Sequence, residues 1–145
     1  MFKVRVLEYT DKLDSKLSEI KALSGRDQTE WLFNLVQQTE NNAFVCEVGT
    51  YYGRCSIAMA YACFGSNRRV ITIDHMLGGF CDCEYKSRFN YIEVIDNMIK
   101  YNVYSKIIPF PMASWQAIEL LKIWNPEISL VYLDGNHNED NVLKE

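Results

Sequence analysis

Glu47-Val48-Gly49-Thr50-Tyr51-Tyr52-Gly53-Arg54-Cys55-Ser56 decides how the rest of the chain is read. It starts at the end of Ala43–Val48, a short and nearly continuous apolar run of the kind that forms a strand buried on both faces. It passes into Cys55–Phe64, which reads as a helix. Glycines at 49 and 53 let the connecting backbone adopt positive φ and approach a ligand closely. The helix that follows turns its free N–H groups and the positive end of its dipole toward the same spot, which suits a carboxylate or a phosphate. Glu47 at the strand tip adds a negative charge beside that anion site. A ligand carrying both an ammonium and a carboxylate would match the two.

Outward from this stretch the period of the sequence changes. Upstream, Leu13, Leu17 and Ile20 recur at helical spacing and Ser24-Gly25 supplies a stop. Asp27-x-x-Glu30 has the form of a capping box. It is expected to open a second helix with the apolar face Trp31, Leu32, Leu35, Val36 and Thr39, ending at Asn41-Asn42. Downstream, Gly65-Ser66-Asn67 introduces a second strand, Arg69–Asp74. Phe89, Ile92, Ile95, Ile99 and Val103 lie close to one helical face, Lys106–Phe110 is a third strand, and Trp115–Ile123 a helix led by Trp115, Ile118 and Leu121. Asn125-Pro126 breaks it, Ile128–Leu133 is a fourth strand, and Glu139–Glu145 reads as the start of another helix. Strands alternating with helices imply right-handed crossovers and a parallel sheet with helices on both faces, an α/β fold. The expected organisation is one domain, with N-terminal helices over 1–42 and a βα core over 43–145.

Composition agrees and removes other classes. The chain has 145 residues, 48% hydrophobic and 23% charged, with 7 glycines and 3 prolines, which excludes disorder and collagen-like repeats. A chain of this size buries roughly two-thirds of its unfolded surface without staples. The net charge of −4 argues against a general nucleic-acid binder, which needs a basic footprint. Residues 1–10 lack the apolar core of a secretory signal, and no apolar run approaches the ~20 residues that cross a bilayer. Cys46, Cys55 and Cys63 read as buried reduced thiols, and Cys81-Asp82-Cys83 lacks the second pair a zinc site needs. These features point to the cytoplasm.

In a sheet of this kind ligands bind at the carboxyl ends of the strands. Asp74 closes the second strand 21 positions after Gly53, where a carboxylate can accept from the hydroxyls of a ribose. Glu47-x-Gly49-x-x-x-Gly53 followed by Ser56, the strand ending in Asp74, and the later Leu133-Asp134-Gly135-Asn136-His137 together resemble a class I S-adenosylmethionine-dependent methyltransferase. More narrowly, they resemble the small-molecule O-methyltransferase-like subgroup whose fourth strand ends in D-G-D-H. The resemblance runs from about Ala43 to Glu145. It implies a Rossmann-like sheet of order 3-2-1-4, with S-adenosylmethionine as cofactor. Gly49, Thr50, Tyr51 and Gly53 would line its methionine end, with Glu47 beside them. Asp74 would hold the ribose, and Ser114 would stand beside the adenine unless it only caps its helix. Trp115 reads as core.

The same resemblance suggests the chemistry. Methyl transfer from a sulfonium is an in-line displacement, so the protein positions two partners and helps deprotonate the acceptor. His137 is the candidate general base and Asp134 the residue that orients the acceptor hydroxyl or ligates a cation. In metal-dependent relatives the position of Asp134 supplies one ligand of several. One carboxylate and one imidazole do not complete a magnesium site, which argues against a resident metal. Asn136 stands where the subgroup has Asp. Residues 76–88, with Gly78-Gly79-Phe80, are expected to form a lid, and Lys86 and Arg88 read as solvated charges. His75 either contacts cofactor or faces solvent. The strands match one to four of a fold that has seven, so the chain reads as the cofactor half of a larger unit. A second copy or further chain is then expected to cover the fourth strand. The competing readings are a non-catalytic S-adenosylmethionine-binding domain and, more distantly, a nicotinamide-dependent oxidoreductase, whose G-x-G-x-x-G turn is not matched here.

Overall fold

In the computed structural model, residues 7–77 and 90–135 are described. Four strands, β1 (Phe44–Val48), β2 (Arg69–Ile73), β3 (Ile107–Phe110) and β4 (Ile128–Leu133), form a parallel sheet in the order β3-β2-β1-β4. The helices are α1 (Asp11–Leu17), α2 (Arg26–Gln37), α3 (Arg54–Ala62), α4 (Tyr91–Lys100) and α5 (Ser114–Trp124), with a 3-10 turn at Tyr104–Lys106 before β3. The expected α/β fold, its strand order and all four strands are found within a residue or so of the places read from the sequence. Among the described residues no helix is long and apolar enough to cross a membrane.

Strand alternation splits the core in two, because successive side chains point to opposite faces. Val45 and Val70 point into the larger cluster, packed with Leu32, Phe33 and Val36 of α2, Ile57 and Met59 of α3, and Val94 and Met98 of α4. Cys46, Val48, Ile71 and Ile73 point the other way, against Ala117 and Leu121 of α5. The register sets Glu47 of β1 between Thr72 of β2 and Tyr132 of β4 on the α2–α4 face. That row of polar residues at the carboxyl end of the sheet is where the site begins.

Several expectations about helices are corrected. The start of α2 is Arg26, capped by Gly25 with no side-chain bond, so Asp27 lies inside the first turn and Asp27-x-x-Glu30 is no capping box. Trp31 is exposed, and Thr29 and Phe33 take the buried positions beside Leu32 and Val36. In α4 the residues turned inward are Val94 and Met98, while Ile92 and Ile99 face outward. In α5 Trp115 is 62% exposed and Ile118 is also exposed, so the core reading of Trp115 fails; Ala117 and Leu121 pack instead. Ala113, not Ser114, caps that helix. Ile20 is buried as expected but lies beyond the end of α1. Phe89 and the helix expected over 139–145 lie outside the described residues.

One buried cation ties the N-terminal helices to the sheet. Arg68, just before β2, is 5% exposed. Its guanidinium donates to the carbonyls of Thr39 (2.6 and 3.2 Å) and Gln37 (3.1 Å) at the end of α2. A cation at a helix C-terminus meets both the dipole and carbonyls that have no partner within the helix. Arg68→Met keeps the length and removes these bonds, and should cost about 3 kcal/mol in chemical denaturation. A cost below about 0.5 kcal/mol would show that the guanidinium is not holding α2.

Candidate functional site

The turn between β1 and α3 is held on every side by named groups. Gly49 N–H donates to the Ile73 carbonyl (2.8 Å), and the N–H of Asp134 donates to the Val48 carbonyl (2.8 Å), so the tips of β1, β2 and β4 are joined. Gly49 has φ +96°, and a Cβ there would press on the carbonyl of Asp134, at 2.6 Å from its carbon and 2.7 Å from Gly135 N. Glycine is required at this point because backbone crosses backbone. Gly53, at φ +88°, is the left-handed residue that opens α3, and only Ile57 and Val94 side chains come near its missing Cβ, at 3.8 and 3.9 Å. Tyr51 also has positive φ, 52°.

Asp74 follows β2 directly and reaches into the turn. Its Oδ2 accepts from the N–H of Thr50 (2.8 Å) and of Tyr51 (2.9 Å), and its Oδ1 accepts from the N–H of Met76 (2.7 Å). The strand-two acid and the glycine turn, 21 or more positions apart in sequence, are thus one unit. His75 beside it is partly exposed, its Nδ1 accepting from Leu77 N–H at 3.0 Å and standing 3.8 Å from Asp74 Oδ1. On the carbonyl side, Asn90 Nδ2 donates to Tyr51 (2.6 Å) and Asn97 Nδ2 to Tyr52 (3.0 Å), both from the α4 side.

Behind the turn lies a buried polar cluster. Glu47 is fully enclosed. Its Oε2 accepts from the hydroxyls of Ser56 and Thr72 (2.8 Å for Thr72), and the Thr72 hydroxyl also bonds that of Thr50. Oε1 has no hydrogen-bond partner among the described residues. Burial pushes the Glu47 carboxyl up to about 7; the two hydroxyls pull it down, and the charges of Asp134 and Asp74 push it further up. Expected from sequence as a negative charge beside the anion site, Glu47 is enclosed at the strand end against Ser56 and Thr72. Burial likewise raises the thiols of Cys46 to about 11 and of Cys55 and Cys63 to about 12, so all three are neutral as well as unbridged.

Asp134 sits just past β4, and the Tyr132 hydroxyl is bonded both to it and to Gln28 of α2. Burial first and the Asp134 charge second hold that phenol above its ordinary range. Ser114 opens α5 at the carboxyl end of β3, on the same rim. His137, Asn136, Cys81, Cys83, Lys86, Arg88 and residues 78–88 of the lid expected over 76–88 lie outside the described residues; of its first two, Met76 is buried and Leu77 exposed. Among the described residues no group of three Asp, Glu, His or Cys side chains could hold a metal ion.

Some members of the site were not foreseen. Arg54 stands in the first turn of α3, where a cation opposes the helix dipole, and that oddity was the available signal. Its guanidinium donates to the carbonyls of Ser24 (2.7 Å), Ser18 (3.1 Å) and Ile20, fastening the α1–α2 loop beside the turn. Lys21 of that loop lies over the rings of Tyr51 (5.4 Å) and Tyr52 (5.2 Å). Asn97 gave no signal, since an amide on a helix reads as solvated, and Asn90 precedes α4 as its cap residue.

No protein-family model and no curated protein sequence matches the chain. Solved structures do. An O-methyltransferase from Bacillus cereus in complex with SAH superimposes with TM-score 0.64 at 17% identity, over 90% of this chain and 57% of that one. A cofactor-bound protein from MTB gives 0.58 at 18%, covering 86% and 51%. A candidate O-methyltransferase from Klebsiella pneumoniae gives 0.55 at 18%, covering 77% and 46%. The chain has the Rossmann-like fold of these proteins and spans about half their length.

Two outcomes follow from this geometry. Gly49→Ala forces backbone apart and should cost at least about 4 kcal/mol or abolish folding, whereas Gly53→Ala meets only strain and should cost about 1–2 kcal/mol in urea denaturation. Equal costs would contradict the close approach at Gly49. Glu47 sets a pH dependence of stability. Below about pH 4.5 folded and unfolded chains both hold its proton; as pH rises toward 7 only the unfolded chain ionises, and the folded state loses on the order of 3 kcal/mol. Glu47→Gln should flatten the fall in stability between pH 4.5 and 7, measured by denaturation at a series of pH values.

Proposed function

We propose that the chain binds S-adenosylmethionine at the carboxyl ends of β1 and β2 and serves methyl transfer to a small-molecule hydroxyl acceptor. The observation that carries this reading is the Asp74 carboxylate held on the Thr50 and Tyr51 N–H groups, in a fold shared with an SAH-bound O-methyltransferase. The residues present suit the cofactor. Three of the roughly four lone-pair sites of Asp74 are taken by backbone, so room is left for a ribose hydroxyl. Gly49, Thr50, Tyr51 and Gly53, with the first amides of α3, would receive the amino-acid end, and Ser114 would stand beside the adenine.

Bound S-adenosylmethionine supplies a methyl group on a sulfonium, open to in-line displacement. Asp134, held by Tyr132, would orient the acceptor hydroxyl, and His137 would take its proton. Among the described residues no donor set suits a resident divalent metal, and no step is routed through one. Net charge of −4 supports a small-molecule partner over nucleic acid. The three described thiols, Cys46, Cys55 and Cys63, are unbridged, which supports a cytoplasmic setting. Exposed Val131 and Leu133 on β4 support a second copy or further chain over that strand. Asn136, where the resembling subgroup has Asp, favours a second reading: cofactor binding without turnover.

Titration calorimetry with S-adenosylmethionine and its demethylated product should show binding of both, weakened at least about tenfold by Asp74→Ala. Absence of binding by either ligand sinks the proposal. Turnover of any hydroxylated acceptor decides for the first reading over the second.

A further inference from the structure

Glu47 has an arrangement that binding alone does not explain. Its carboxyl is wholly enclosed; two hydroxyls serve Oε2 and no described group serves Oε1. The charges that act on it, from the strands on either side, are the carboxylates of Asp74 and Asp134. The neighbouring thiols of Cys46 on β1 and Cys55 on α3 are neutral. Arg54 on α3 is turned to the carbonyls of the α1–α2 loop, and Lys21 of that loop lies over the tyrosine rings. An enclosed carboxyl among carboxylates favours its neutral form until a positive charge arrives nearby. Thr72 joins Glu47 to Thr50, whose N–H and hydroxyl belong to the turn, so the carboxyl is linked to the ligand rim through one relaying hydroxyl.

We propose that Glu47 couples ligand binding at this rim to release of a proton, and thereby makes the site favour a cationic ligand over its neutral counterpart. The inference rests on the cofactor reading above. S-adenosylmethionine carries a sulfonium, an ammonium and a carboxylate, net one positive charge. In the demethylated thioether the ammonium and carboxylate cancel. Seating the cation ionises Glu47, the O–H bond breaking and the proton passing to buffer; the thioether demands less. Near pH 7 the free carboxyl holds its proton for much of the time, so the release is measurable there. After methyl transfer the product would lose this preference, which favours its exchange for fresh cofactor.

The test is calorimetry of the whole chain with each ligand, in two buffers of unlike ionisation enthalpy, from pH 6 to 8. Release of a fraction of a proton with S-adenosylmethionine, and clearly less with the thioether, is expected. The ratio of the two Kd values should then move about fivefold in favour of S-adenosylmethionine between pH 6 and 8, the change expected when a bound cation lowers a group from about pH 7 to about pH 6. In Glu47→Gln both ligands should bind with a ratio independent of pH. Equal proton release by the two ligands, a flat ratio in the unaltered chain, or a persisting pH dependence in Glu47→Gln would each overturn the inference while leaving cofactor binding intact. If neither ligand gives heat, the cofactor reading itself has failed. Should Glu47→Gln not fold, Thr72→Val removes one donor to Oε2 and should move the midpoint of the ratio to higher pH; an unmoved midpoint overturns the proposal.

Discussion

The close passage of Gly49 across the end of β4 is the constraint on which the rim depends. Backbone meets backbone there, with no room for a Cβ between Gly49 and the Asp134 carbonyl. That contact sets β1 and β4 level at their tips, and the Asp134 N–H to Val48 bond fixes it. Once the two strands end together, the turn has to leave the sheet toward β2, and it does so over Asp74. The carboxylate that terminates β2 then supplies acceptors to turn amides that would otherwise lack them.

Polar bonds, more than apolar contacts, give the turn its shape. Its amides go to Asp74, its carbonyls to Asn90 and Asn97, and its Thr50 hydroxyl to Thr72. Loops on such rims ordinarily tolerate motion because few of their backbone groups are paired within the protein. Here most are paired, and the partners come from β2, α4 and the cluster behind. A preorganised turn loses less entropy on seating a ligand, so contacts made to it contribute more of their energy to affinity.

The strands were legible because an apolar run bounded by turn residues reads the same way whatever packs on it. Gly49, Gly53 and Asp74 were legible for a related reason: each answers a local backbone requirement. Helix faces were not. Ile92 and Ile99 form as good an apolar stripe as Val94 and Met98, and only the position of β1 and β2 decides which pair turns inward. Trp31 and Trp115 misled similarly, since size and hydrophobicity predict burial only on average. Glu47 was legible by its place at the end of β1, but its enclosure was not, because that depends on strand alternation and on the Thr72 register. Asn97 depends on a tertiary contact that leaves no trace in local sequence.

The two faces of the sheet bear unequally on the site. Ser56, Thr72, Arg54, Asn90 and Asn97 all come from β2 or from the elements on the α2–α4 face, where the core is closed by Leu32, Phe33, Ile57 and Met98. On the opposite face Trp115, Ile118, Ile123, Val131 and Leu133 remain exposed, and that face contributes Ser114. The parts of the rim assigned to the methionine and ribose ends therefore stand on completed packing. The proposed adenine side would rest on α5, whose exposed residues include Trp115, Ile118, Leu120 and Ile123. An exposed apolar surface of this kind marks a contact surface. On the proposed reading, cofactor recognition and acceptor chemistry would be separable: the first would rest on bonds made within β1, β2, α3 and α4, and the second would draw on β4, the strand with the least covering.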